Sequence, residues 1–295
     1  METPPNLIHY AIPGFILLMA VEVYLSLRMK TEAYDWKDSA ASISMGLGNV
    51  FLGLIAKALV LGAFFFAYQF KLLEIPVTWW SWLILFFLED LSYYVFHRVS
   101  HRSRLFWASH VVHHSSKHYN LSTALRQTWT GSFYTFIFWL WLPFLGFHPF
   151  MVMTQMAISL LYQFWIHTEA IDKLPKWFEG IFNTPSHHRV HHATNPRYLD
   201  RNHAGILIIW DRMFGTFEPE VAYDPPVYGL TEDIKTFNPL RIAFHEWCAM
   251  LRTALGKGLT MKDRLSYLTH PPGWRHDGKG KLAEDIRMDW ERHQP

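Results

Sequence analysis

Cysteine is almost missing from the 295-residue chain, and the single Cys248 excludes a disulfide scaffold and any zinc or iron–sulfur site built on thiolates. Charge is scarce too, at 18% of residues, and 27 Lys and Arg nearly balance 25 Asp and Glu, so the net +2 makes no field suited to nucleic acid. No Gly-rich nucleotide loop stands beside a strand pattern, and no internal repeat or low-complexity segment occurs. METPPN lacks the basic region that opens a secretory signal, so the first apolar run is expected to persist as an anchor. What the chain does have is apolar: half its residues are hydrophobic and 17% aromatic, which excludes disorder. It also has 18 histidines, about 6% of the chain, an excess that asks for a chemical reason.

A mean hydropathy of +0.02 is that of a soluble protein, but the apolar residues are segregated. Residues 7–27 and 75–95 are each long enough to cross a hydrocarbon layer of about 30 Å as a helix. Residues 43–69 form a longer run interrupted by Lys57, and 131–147 and 150–166 read as a hairpin of two helices around His148 and Pro149. The expected fold is therefore all-α, an integral membrane bundle of four to five spans with a cytosolic helical cap. Lys and Arg alternate between the connections: Arg28, Lys30 and Lys37 after the first span, Lys71 after the second, Arg98, Arg102, Arg104, Lys117 and Arg126 after the third, and 17 beyond the last. That pattern places the N-terminus outside and both the 98–130 connection and the C-terminal region in the cytoplasm. Three segments follow: N-terminal spans in 1–74, a catalytic region in 75–217 and a cytosolic tail in 218–295. Within the tail, residues 238–256 have apolar positions at helical spacing and suit an amphipathic helix on the membrane surface or over the bundle.

Nine histidines fall in three groups: His97 and His101; His110, His113 and His114; and His187, His188, His191 and His192. Spacings of three and four place imidazoles on one face of a helix, as chelation requires, and neutral imidazole suits iron, zinc, copper or nickel. All three groups lie on the cytoplasmic side of the topology drawn from charge. Nine ligands exceed one ion's coordination, so a dinuclear centre is expected. His167 emerges at the same face as a further ligand, and Gln163 lies one turn before it. Asp90, two turns before His97, could accept the second N–H of a ligand imidazole. Glu169 completes the candidate catalytic set of Asp90, Gln163 and Glu169. His118 and His203 lie near the groups but off their spacing, and His9, His148, His245, His270, His276 and His293 are isolated.

The boxes HxxxH, HxxHH and a final HxxHH, with the strings Asn120–Gln127, Trp165–Glu169, Phe182–His192 and Ile209–Phe217, resemble the fatty acid hydroxylase and sterol desaturase superfamily of membrane di-iron oxygenases, in particular its alkylglycerol monooxygenase-like branch. The resemblance implies iron on His97, His101, His110, His113, His114, His167, His188, His191 and His192, with His187 as a tenth, and O2 as co-substrate. Some members have a histidine where Gln163 stands. It implies a lipid substrate from the bilayer and either tetrahydrobiopterin or an electron-transfer protein or reductase as electron source. Ether cleavage of alkylglycerols is one expected reaction, and hydroxylation or desaturation of a sterol, fatty acyl chain or carotenoid is another. Outside the oxygenases, a zinc-dependent hydrolase uses the same imidazoles, and a metal transporter would need polar residues through the bilayer, where only scattered ones such as Glu22, Lys57 and Asp90 occur.

Overall fold

The computed structural model of the chain describes residues 7–293; the expectations for residues 1–6 and for the last two residues lie outside them. Among the described residues there is no β-strand, only three isolated bridges, so the all-helical expectation holds. Two helices are long and apolar enough to cross a membrane. The first, α1 (Leu7–Met29), would be about 35 Å long, and the second, α2 (Trp36–Gln69), about 51 Å, both at 1.5 Å per residue. Asp35 starts α2 by accepting from the backbone N–H groups of Lys37 and Asp38, both at 2.9 Å.

Next come α3 (Trp79–Arg102) and α4 (Arg104–His114), separated only by Ser103. The expected span at 131–147 is not one helix. It is broken into 3-10 turns at Gly131–Phe133 and Thr135–Trp139 and the short α5 (Trp141–Leu145). Pro143 removes a donor, and Gly146 stops the helix at φ +130°, where a Cβ would lie 2.2 Å from the Leu73 carbonyl oxygen. That close approach lets residues 72–73 bond to the carbonyls of Phe144 and Leu145. The next run forms α6 (Pro149–Trp165), with Pro149 in its first turn. Short helices follow, α7 (Lys176–Ile181), α8 (Pro185–His192) and α9 (Ile209–Met213), then α10 (Pro239–Ala254), α11 (Met261–Thr269) and α12 (Ala283–Arg292).

The main apolar core joins Phe64 of α2, Leu85 of α3, Trp139, Leu142, Phe147, and Met151 and Val152 of α6. The outer sides of α1, α2 and α3 instead present Leu17, Leu27, Leu47, Phe51, Ile55, Leu83 and Phe87. So large an exposed apolar face is unusual on a water-soluble monomer and suits hydrocarbon contact. The amphipathic helix expected at 238–256 is α10, and its Ile242 and Ala243 pack with Val112 of α4 and Met45 of α2. α4 is thus closed in by α10 on one side and α3 on another, which leaves its histidine face turned to the remaining side.

Candidate metal centre

Helices α3, α4 and α8 and the end of α6 bring nine imidazoles together in two groups. The first is His97, His101, His110, His114 and His191; the second is His113, His167, His188 and His192. In each, one nitrogen per ring can be chosen so that all lie within 4.8 Å of one another. His110 and His113 keep slight exposure and the rest are buried. The groups adjoin: the ring of His114 stacks on that of His192 at 4.5 Å between centroids.

Within each group the ring nitrogens approach one another closely. Nε2 of His97 is 2.9 Å from Nε2 of His110, and Nε2 of His167 is 3.0 Å from the same atom of both His113 and His188. On four of these rings the other nitrogen faces a carbonyl: His97 donates Nδ1–H to His203 (2.8 Å), His191 to Arg201 (2.9 Å), His167 to Gln163 (2.7 Å) and His113 to Arg126 (3.4 Å). A carbonyl only accepts, so Nδ1 carries the proton and Nε2 presents its lone pair. His101 Nδ1 meets a carboxylate instead, Asp200 at 3.2 Å. Separations near 3 Å fit neighbouring ligands of one ion at about 2.1 Å from each nitrogen. The buried Nε2 atoms of His101 and His191 have no hydrogen-bond partner, as expected of donors kept for a metal.

Burial, the largest cause, together with neighbouring imidazoles, holds His97, His110, His114, His167, His188, His191 and His192 far below the ordinary histidine range. Burial takes His113 down to about 4. At neutral pH these rings are uncharged ligands. An all-imidazole set of this kind suits iron or zinc and is a poor site for magnesium or calcium.

Residues 82–216 match the fatty acid hydroxylase family profile. The match takes in a little under half of the chain. All nine converging histidines lie inside it. Over nearly its whole length the chain is also similar to alkylglycerol monooxygenases: 41% identical to that of Danio rerio over 96% of the chain, 39% to that of Homo sapiens over 97%, and 36% to that of Xenopus tropicalis over 97%. The chain spans 63–64% of the length of these relatives. No solved structure matches it.

Within the matched region, His187 is the one box histidine that joins neither group. It lies about 40° outside the arc of about 100° that His191, His188 and His192 span on α8, and its ring packs edge-on against Phe217 at 5.4 Å. Beside it are Lys173, Glu179 and Arg212, around a surface cleft of about 280 Å³. Asp90 accepts no imidazole proton. Its carboxylate takes the backbone N–H groups of Ile206 (2.8 Å) and Leu207 (3.0 Å) and the Trp210 indole (2.9 Å), and so ties the 200–210 connection to α3. Gly205 permits that approach, since a Cβ there would lie 3.0 Å from Asp90 Oδ1. Gln163 contributes its carbonyl to His167 while its side chain donates to Ser159. Glu169 is exposed and accepts from Tyr228, whose ring stacks on Tyr119 beside His167.

The structure adds residues that spacing could not pick out. His203 brings its ring within 5.0 Å of His101 and 5.6 Å of His191. Its backbone N–H and that of Ala204 are held by the buried carboxylate of Asp211. Asp200 and the carbonyls of Arg201 and His203 orient the first group, although no side-chain pattern marks the two carbonyls. Trp107 and Tyr119 wall the groups with aromatic surface.

Proposed function

We propose that the chain is a membrane-bound di-iron monooxygenase that hydroxylates a lipid, with an alkylglycerol ether as the leading substrate. The observation that carries this reading is the convergence of nine imidazoles into two adjoining groups. The alkylglycerol monooxygenase relatives support the substrate class. His97, His101, His110, His114 and His191 would hold one iron, and His113, His167, His188 and His192 the other. A bound iron pair supplies an oxidant strong enough for an unactivated C–H bond, which no side chain can.

The protein's part is to position and to exclude water. The carbonyls of residues 126, 163, 201 and 203 fix the tautomers, and Trp107 and Tyr119 cover the imidazoles with aromatic surface. Hydroxylation at the carbon beside the ether oxygen consumes O2, two electrons and two protons, giving a hemiacetal and water. The hemiacetal then collapses to an alcohol and an aldehyde. Tetrahydrobiopterin or an electron-transfer protein supplies the electrons. The apolar faces of α1 to α3 point to a multi-pass membrane protein. The Lys and Arg pattern supports four to five spans, with the iron pair on the cytoplasmic side, where the electron donor reaches it.

Metal analysis combined with product analysis tests the reading. The purified chain should hold two irons and release fatty aldehyde from an alkylglycerol only in the presence of O2 and reductant. Unchanged alkylglycerol beside an oxidised sterol or fatty acid would move the substrate assignment. One tightly bound zinc with no oxygen consumption would overturn the oxygenase reading.

A further inference from the structure

Two buried carboxylates lie outside the region that matches the family profile and reach into it. Asp38, in the first turn of α2, is 4% exposed, and Glu22 of α1 is 7% exposed. Buried acids without partners are costly, and both of these are fully engaged. Asp38 Oδ1 accepts from Arg126 at 3.1 Å, its carbonyl takes the same guanidinium nitrogen at 3.4 Å, and Oδ2 accepts from Ser116. Arg126 is itself buried and also donates to Ser115 (2.9 Å) and Ser42 (3.2 Å). Glu22 accepts from Tyr34, from Thr168 and from the backbone N–H of Leu121 at 2.8 Å.

Ser115 and Ser116 follow His114 of the first group in sequence, but the partners of these acids make contact with ligands of the second group alone. Arg126, pinned by Asp38, presents its carbonyl to His113. Thr168, pinned by Glu22, follows His167, and its carbonyl accepts Arg189 at 3.1 Å, next to His188. Three of the four histidines in the second group are therefore placed by, or beside, residues that α1 and α2 hold. In the first group the outer nitrogens of His97, His101 and His191 are met by His203, Asp200 and Arg201. We propose that Glu22 and Asp38 are positioning residues for the second metal position alone, so that the N-terminal helices act as the scaffold of one ion while the 200–203 connection acts as that of the other. This rests on the two-metal reading of the histidine groups.

Equilibrium binding of zinc to the full-length purified protein in detergent tests it without reference to turnover. The wild type should bind two ions per chain; a single ion would count against the two-metal reading itself. Asp38→Asn and Glu22→Gln should each weaken one site by about 10–100-fold, the range for partners that orient a ligand, and leave the other unchanged. Thr168→Val and Ser116→Ala, which keep both carboxylates, should weaken the same site to a smaller extent and cover the case in which the acid variants fail to fold. In a His191→Ala background, which retains the second group, Asp38→Asn should remove the remaining tight binding. In a His188→Ala background it should change nothing. Asn49→Ala, which loses another contact between α2 and the 115–130 segment (to the Thr128 carbonyl), should leave both affinities unaltered. Equal loss at both sites, equal loss in both backgrounds, or wild-type binding in every Glu22, Asp38, Thr168 and Ser116 variant while the wild type binds two ions would each overturn the proposal.

Discussion

The five-histidine group takes its outer hydrogen bonds from residues 200–203, inside the region that matches the family profile, whereas the four-histidine group takes one from Arg126, which a helix outside that region holds by a buried ion pair. The first arrangement is closed by Asp90 and Asp211, which fasten the same connection to α3 and to the start of α9. The second depends on contacts that α1 and α2 make with it. Identical ligand chemistry thus sits in one frame made within the matched region and another that needs the N-terminal helices. A dinuclear centre of this build should lose its two ions by different routes.

The largest effect that can separate the groups is ligand removal. His191→Ala and His113→Ala should each abolish activity and drop one ion of the pair, with losses beyond the 10–100-fold expected of an orienting partner, while His270→Ala should retain both ions and full activity. Equal behaviour of all three in metal analysis would erase the distinction between box and isolated histidines. Next, Asp200→Asn should weaken the first group's ion by about 10-fold or more and spare the second, measurable by competition with a chelator. A loss confined to the second ion would reverse the comparison.

Acid should act on the metal-free protein through His113. Its folded value is about 4 and an unfolded histidine titrates near 6.5, so the unfolded chain takes up the proton first. The share of stability that this ring governs is then intact above about pH 6.5, falls as pH drops through that window and is fully lost below about 4, while the other depressed histidines add to the fall. The contribution from this ring is about 3 kcal/mol. Denaturation midpoints measured with and without metal check this, and a flat profile between those limits in the metal-free protein would contradict it. Asp90→Asn should cost about 2 kcal/mol of stability through its lost charge-assisted bonds while metal stoichiometry stays at two. The smallest effect is expected from Glu169→Gln, which should leave both metal affinities within about twofold because the side chain faces solvent.

Much of the site could be read from spacing, because a chelating helix face is a local property. HxxxH and HxxHH place their rings by helical geometry alone, and α4 and α8 follow it. The same rule overreached at His187, since four ring positions on α8 span more arc than one centre can use. Asp90 shows the other limit. Its offset from His97 is right for reaching a ligand on α3, but the backbone donors of Ile206 and Leu207, over 110 residues later, occupy the carboxylate instead. The long apolar helices α1 and α2 were legible from composition. The break in 131–147 was marked by Pro143 and Gly146, yet hydropathy averaged over the segment hides it. What supports the second group could not be found locally, because Asp38 and Arg126 are 88 residues apart and neither sits in a pattern with the histidines.

The four carbonyls that face Nδ1 of His97, His113, His167 and His191 also settle a matter of proton accounting. Each of these rings already carries its single proton on the side away from the metal, so loading an ion near neutral pH displaces none from them. These four rings should therefore add nothing to the heat of metal uptake that varies with the ionisation enthalpy of the buffer. A thiolate site would release protons on binding, and its uptake heat would depend on the buffer that absorbs them.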